Sequence, residues 1–479
     1  MLKRRHFHAL MLGAGAAATL GRAARADAAQ TAAEAAKQYS GTVLNVTCEA
    51  GLQPMDLKIY SGPLWEKLTG IKIQVVEMAP NEMFTKTIAE HRAGTGAYDL
   101  LNVMPQWLPD LVQAGAVELL DPFIEKHGYR AEMDDIAPAY AGQGIYDGKV
   151  YGLPDDGDVL ILYYRTDLFG DAANQQAFKA RYGWDLAPPK DWDQFYQVSQ
   201  FFNDKLKPQG GNGSALIQAA GLVHFIYEMR YRTAGGRFFD PDTMKAAING
   251  DIGVSVLKDM QRQLDNMPAG AGAWGPIEVL SAWLAGNLAM TMWWPPPGRW
   301  SEGYGMDLKE FEWVPKSKVK GLVGYALPPG GRPELAAGFD LCVASGSKHK
   351  EAAYLFAQWL NSKEISAVRV QQPYALRDPF RVAHYESPDY RKLWPNAGNY
   401  LDTLREGGEK GLLDLSIIET FSYEDSLSRA CTAALAGGDA KAALDKAAGE
   451  WDQLTEEVGV EDLKAAYAAW AAKPNAYPG

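Results

Sequence analysis

The 479-residue chain has only three cysteines and seven histidines, and it has no apolar run near the roughly 18 residues that a membrane span requires. Cys48, Cys342 and Cys431 are too few and too scattered for a disulfide framework in a chain this long. They read as small buried hydrophobes. Among His91, His127, His224, His349 and His384, the histidines beyond residue 26, no two sit at a zinc spacing, and no Cys-x-x-Cys occurs, so no metal site is expected. Positive charge is also short. Lys and Arg total 47 against 59 Asp and Glu, a net charge of −12, and no basic tract concentrates them. That balance makes nucleic acid a poor partner, because phosphate binding needs clustered Lys and Arg. The chain lacks a Gly-x-Ser-x-Gly elbow and a phosphate loop, and it shows no internal repeat at solenoid periods. Ser345-Gly346-Ser347-Lys348 fits Ser-x-x-Lys without the companion motifs of a β-lactamase-like site, so it reads as a strand end before a helix.

What is present is globular composition, 47% hydrophobic and 22% charged, in a chain longer than one core usually supports. More than one domain is expected. The chain opens Met1-Leu2-Lys3-Arg4-Arg5-His6-Phe7, passes through an Ala/Gly-rich apolar stretch and reaches Ala24-Arg25-Ala26. This order reads as an export signal over residues 1–26, and the Arg4-Arg5 pair is of the twin-arginine type. Lys3 stands where Ser or Thr is usual. Cleavage would remove five basic residues and no acid, leaving a still more acidic periplasmic protein. Gly13-Ala14-Gly15-Ala16-Ala17-Ala18 imitates a dinucleotide fingerprint but lacks the flanking strand and helix. No cofactor is expected. Residues 27–40, Ala-rich and polar, read as a loose leader.

Alternating or apolar runs at residues 42–47, 71–76 and 98–103 read as strands. Helical spacing at 54–68, 83–92 and 107–113 separates and follows them. Strand and helix in alternation predict a parallel sheet covered on both faces, an α/β fold. Residues 150–154 and 159–164 are two further β-runs, parted by Asp155-Asp156-Gly157-Asp158. Helices are expected at 192–203, 216–230, 241–267 and 278–285. Strands follow at 289–293 and 339–344, then helices at 348–360, 444–458 and 463–470.

Three constellations bear on chemistry. The acidic turn at 155–158 looks calcium-like, but it does not place oxygens as an EF-hand loop does. Its carboxylates are also the best candidates for a glycosidase pair. Adjacent Tyr163-Tyr164 raises the possibility of a ferric-ion site, yet neighbours in a strand point to opposite faces. The strongest oddity is aromatic. Six of the 14 tryptophans fall between Trp274 and Trp313, and Trp293-Trp294-Pro295-Pro296-Pro297-Gly298-Arg299-Trp300 follows a strand. Ligands of α/β folds bind beyond the carboxyl ends of strands. Trp293 and Trp294 offer flat faces for a sugar ring, and Arg299 offers forked hydrogen bonds.

Several stretches together resemble the extracellular solute-binding proteins of carbohydrate ABC importers, the maltose-binding-protein-like group. They are Tyr146-Asp147-Gly148-Lys149-Val150-Tyr151-Gly152-Leu153-Pro154, residues 162–169, Gly286-Asn287-Leu288-Ala289-Met290 with Trp294-Pro295 after it, and residues 348–360. The resemblance covers essentially the whole chain after the signal. It implies two α/β lobes joined by crossing hinge strands, one crossing near 155–159 and another near 338–343. The implied N-terminal lobe is 41–156 with 343–373; the C-terminal lobe is 157–342 with 374–479. It also implies ligand contacts from Glu49 and Leu52, from Asn102, Gln106 and Trp107, from Asp155 and Asp158, from Trp294, and from Tyr374 and Arg377. Many relatives carry an Asp three residues before the tryptophan, where this chain has Met104. The resemblance makes Tyr163-Tyr164 part of a structural strand.

The function expected from all this is a monomeric periplasmic receptor, not an enzyme, that binds a sugar or oligosaccharide and delivers it to an inner-membrane ABC permease. Two other readings stand beside it: a secreted glycan hydrolase or lyase, and a receptor for a polyamine or ferric ion.

Overall fold

The computed structural model describes residues 27–51, 53–304, 308–309, 312, 314–335, 338–373, 376–473 and 475–477. The expected export signal, the fingerprint-like stretch at 13–18, Leu52, Trp313 and Tyr374 lie outside the described residues.

Two sheets organise the chain. The first contains β1 (Val43–Glu49), β2 (Lys72–Met78), β3 (Leu100–Val103), β4 (Gly152–Pro154) and β9 (Asp340–Val343), in the order β2-β1-β3-β9-β4. β1 pairs in parallel with β2, from Val43 opposite Lys72 to Glu49 opposite Met78, and in parallel with β3. β9 runs antiparallel to both β3 and β4. The second sheet contains β5 (Ile161–Arg165), β6 (Asn212–Ala215), β7 (Leu288–Trp293) and β8 (Val323–Ala326), in the order β8-β5-β7-β6. Residues 155–160 carry the chain from β4 to β5, and residues 327–339 carry it back from β8 to β9. The segment Asp340–Cys342, expected in the C-terminal lobe, therefore pairs in the first sheet. Its near-continuous apolar run, buried on both faces, suits a central strand.

The expected loose leader is corrected. Ala28–Ala36 is a helix, α1, capped by the Asp27 carboxylate, which accepts from the Gln30 amide at 2.6 Å. Ala29, Ala32, Ala33 and Ala36 recur at helical spacing and are buried. Alanine is the strongest helix former, and its short side chain lets α1 pack closely against a later helix, Lys350–Asn361. Trp65, Phe356 and Trp359 fill the same core.

Two expected helices shorten. Residues 241–267 form a helix only over Asp251–Gln263, because Asn249-Gly250 ends the preceding turn. Residues 216–230 yield Val223–Thr233, preceded by the short strand β6. Toward the C-terminus, Ala397–Lys410 packs on the second sheet, and Thr420–Leu435 and Ala440–Val458 pack on each other and on the helices of that half. No helix among the described residues is long and apolar enough to cross a membrane. All three cysteines are buried and free.

Candidate functional site

The loops beyond the strand ends of both sheets meet around a cavity of about 760 Å³. The carboxyl end of β1 contributes Glu49. The turn after β3, a single 3-10 turn over Pro105–Trp107, contributes Gln106 and Trp107. The crossing from β4 to β5 contributes Asp156 and Asp158, and the end of β7 contributes Trp293 and Trp294. Strand ends collect in this way because a parallel sheet leaves its carboxyl edge for loops rather than core.

The aromatic wall is built from both halves of the chain. Trp294 is half-buried and meets Trp293 edge-on at 5.6 Å and Phe225 edge-on at 6.4 Å between ring centroids. The Trp293 indole N–H donates to the Pro276 carbonyl at 3.2 Å, and that of Trp300 to the Pro373 carbonyl at 3.0 Å, so both rings are fixed. The turn that carries Trp294 is held from beneath. The Tyr163 hydroxyl donates to the Trp294 carbonyl at 2.8 Å, and the Tyr400 hydroxyl to that of Pro295 at 2.9 Å. Proline at 295–297 removes three N–H groups and fixes φ, so these tyrosines find preset acceptors. Tyr163 is buried, while Tyr164 packs on Phe169 at 5.0 Å on the other face of the sheet. The two phenols do not converge on one ion. On the opposite wall Trp107 contacts Phe84 and Phe421.

Of the residues expected to touch ligand, Glu49, Gln106, Trp107, Asp158, Trp293 and Trp294 line the cavity. Four do not. Asn102 is buried within β3, its backbone N–H donating to Thr47 Oγ1 at 3.2 Å. Asp155 is spent on Arg369 and Arg377, and Arg377 on Asp155. Arg299 turns into the core, where Nη1 reaches the Val370 carbonyl at 3.1 Å, Asp378 at 3.2 Å and the Tyr390 hydroxyl at 3.0 Å. A guanidinium with so many fixed acceptors braces the wall rather than meeting solute.

The cavity also holds residues not expected as ligand contacts: Gln53, Asp156, His224, Phe225, Trp300, Asp378, Phe421, Glu424 and Asp425, of which Asp156 is among the glycosidase candidates and Trp300 belongs to the tryptophan cluster. Asp156 and Asp158 lie two apart in an extended crossing, so they share a face that Asp155 does not. That period was readable. Asp378 and Glu424 arrive from distant segments and carried no local signal.

Burial sets the charges here. It pushes the Glu49 carboxyl up to about 7, against the pull of Arg377. Burial raises Asp156 well above the usual carboxylate range, with the Asp378 charge adding to it; Asp158 rises likewise, with Asp156 adding most. Burial lifts Asp378 to about 6, with Arg299 opposing the rise. His224 falls to about 3, again from burial, so its ring is neutral. Oxygens of Asp156, Asp158 and Asp378 lie within 4.8 Å of one another. Among the described residues, no Lys or Arg lines the cavity.

The model of the bacterial extracellular solute-binding protein family matches residues 51–367, and the chain belongs to that family. It is a family of binding proteins. A probable amino-acid ABC transporter periplasmic-binding protein from Sinorhizobium fredii is 27% identical over 401 residues, covering 82% of this chain and 85% of the relative. A lactose-binding protein from Rhizobium radiobacter is 25% identical over 221 residues, 44% of this chain and 47% of its own length. Among solved structures, an ABC transporter solute-binding protein from Agrobacterium radiobacter in complex with ribitol superposes with a TM-score of 0.73 at 23% identity, covering 87% of this chain and 99% of the other. One from Agrobacterium vitis with bound D-mannitol gives 0.71 at 20% identity, with 88% and 99% covered. The fold is thus the two-lobed periplasmic binding protein fold.

Proposed function

We propose that the protein is the substrate-binding receptor of an ABC-type importer, and that it captures a sugar or polyol between its lobes without making or breaking a bond. The observation that carries this reading is the aromatic wall of Trp293 and Trp294 facing hydrogen-bonding side chains across a cavity of about 760 Å³. Flat rings stack on the C–H faces of a carbohydrate while carboxylates and carboxamides take its hydroxyls. An affinity near 1 μM, about −8 kcal/mol, is within reach of two such rings and several hydrogen bonds.

On this reading Glu49, Gln106, Trp107, Asp158, Trp293 and Trp294 touch the solute, joined by Asp156, His224 and Phe225. The two lobes are 41–154 with 340–369, carrying α1 on the first, and 161–326 with the C-terminal helices. The receptor is exported to the periplasm by the twin-arginine route, acts as a monomer and hands its cargo to a permease. The relative from S. fredii is named for amino acids, but no described Lys or Arg lines this cavity to pair with an α-carboxylate. A thermal-shift panel of sugars, polyols, amino acids and sugar acids tests the reading, since only a bound ligand stabilises by mass action. A sugar or polyol is expected to raise Tm and to be recovered unchanged from the complex. Turnover of the recovered compound, or a response to amino acids alone, contradicts it.

A further inference from the structure

We propose that the natural solute carries a protonated amine, as in an amino-substituted sugar or polyol, and that its ammonium group is seated among Asp156, Asp158 and Asp378. This rests on the receptor reading above.

The three carboxylates are buried at the floor of the cleft, with oxygens within 4.8 Å of each other. Two guanidinium groups reach them. Arg299 holds Asp378 at 3.2 Å, and Arg377 stands 3.9 Å from Asp156 while its Nε is committed to Asp155 at 2.7 Å. Arg369, the next cation, is divided between Asp56 and Asp155. Three buried guanidinium groups therefore serve Asp56, Asp155, Asp156, Asp158 and Asp378, and the Glu49 charge also bears on Asp158. Buried carboxylates in excess of their cations favour a cationic guest.

A second observation is independent of the trio. Five buried atoms of the cleft lining have no hydrogen-bond partner among the described residues: Gln53 Oε1, Gln106 Oε1, Glu424 Oε1 and both ring nitrogens of His224. The four residues are at least 95% buried. The three oxygens are acceptors and the neutral His224 ring adds one acceptor and one donor, so acceptors outnumber donors four to one. A neutral hydroxyl brings one donor and also asks for donors in return, whereas an ammonium group brings three donors and asks for none. The indole faces of Trp293 and Trp294 are compatible with the same charge. A bare divalent ion would answer the trio, but it would leave the aromatic wall without a partner.

The test is calorimetric titration of the chelator-treated protein at pH 7.5 with matched twins: glucosamine against glucose, galactosamine against galactose, and 1-amino-1-deoxysorbitol against sorbitol. Gluconate, spermidine, calcium and magnesium complete the set. The expected result is an amine that binds at least tenfold more tightly than its neutral twin, with no binding of gluconate. Asp158→Asn should narrow that gap; an unchanged gap overturns the seat among the three carboxylates. Neutral twins that bind as well as the amines overturn the proposal and leave the sugar-receptor reading standing. Silence of every amine overturns it too, and binding of calcium or magnesium alone makes the trio a metal site instead. Spermidine binding without any hydroxylated compound overturns both readings.

Discussion

Arg377 donates from Nε to Asp155 Oδ2 at 2.7 Å, and both side chains are buried away from solvent and from the cleft. Arg369 grips the same carboxylate as a fork, with Nη1 on Oδ1 and Nη2 at 3.1 Å from the Oδ2 that Arg377 also holds. Asp155 begins the first crossing between the sheets, Arg369 ends a helix of the first half, and Arg377 lies on the segment that leaves it. One carboxylate thus ties together two of the segments that run between the sheets.

Removing that carboxylate takes the nearest partner from Arg377 and leaves Arg369 with Asp56 as its ion-pair partner. Asp155→Ala is expected to destabilise the unliganded protein by about 3–5 kcal/mol, the cost of breaking a buried ion pair on one side. Urea unfolding followed by tryptophan fluorescence measures it. A change below about 1 kcal/mol would contradict the buried network.

Glu49 predicts a pH dependence. Its carboxyl sits at about 7 in the folded chain because burial penalises its charge, against an ordinary value of 4.5. Between those values the folded state keeps a proton that the unfolded state has lost. Its contribution to stability is therefore greatest below pH 4.5, declines as pH rises to about 7, and is flat above. Glu49→Gln removes this loss. The variant should match wild type near pH 4.5 and exceed it above pH 7.5 by on the order of 1–3 kcal/mol, discounted because the side chain is partly open to the cleft. Thermal unfolding at the two pH values decides, and an identical difference at both would refute the assignment.

The alanine face of α1 predicts a packing effect near the start of the described chain. Ala32 is fully buried. Ala32→Leu forces extra methylenes between α1 and the helix Lys350–Asn361, and is expected to cost roughly 1–3 kcal/mol. Glu34→Leu, on the exposed face, should stay within about 0.5 kcal/mol. Equal Tm values for the two variants would mean that α1 is not docked.

Export is tested on Arg4 and Arg5. Changing both to Lys should leave full-length precursor in the cytoplasm, scored by fractionation. Normal export of the double variant would point to the general secretory route.

Much of the site was legible because strand ends are legible. The alternating run at 42–47 and the apolar run at 98–103 located β1 and β3, and the resemblance pointed to Glu49, Gln106 and Trp107 in the loops beyond them. The apolar run at 289–293 did the same for Trp293 and Trp294. What failed was facing. Asp155 and Asp156 are adjacent in an extended segment, so one must turn inward and the other toward the cleft; the same holds for Arg377 and Asp378. Arg299 was misread because a forked donor suits a buried set of carbonyl, carboxylate and phenol as well as it suits a sugar. The strands β6, Asn212–Ala215, and β8, Val323–Ala326, are four residues each with an internal Gly, too short for a periodic signal. The helix α1 was missed because a run of alanines has no apolar contrast, even though each alanine sits at helical spacing.

Calorimetric titration of Trp294→Ala, paired with its melting temperature, tests the central claim most directly. The titrant is the sugar or polyol that stabilises the wild-type protein. Trp294 is half-buried on the cavity wall, and its turn is held by Tyr163 and Tyr400 whether or not the ring is present. Losing the ring should cost about 2–4 kcal/mol of binding, on the order of 30- to 1,000-fold in affinity, while the unliganded Tm stays nearly unchanged. Undiminished affinity, or a fall in unliganded stability of roughly 3–5 kcal/mol as for a core tryptophan, would contradict the assignment of this cleft as the solute site.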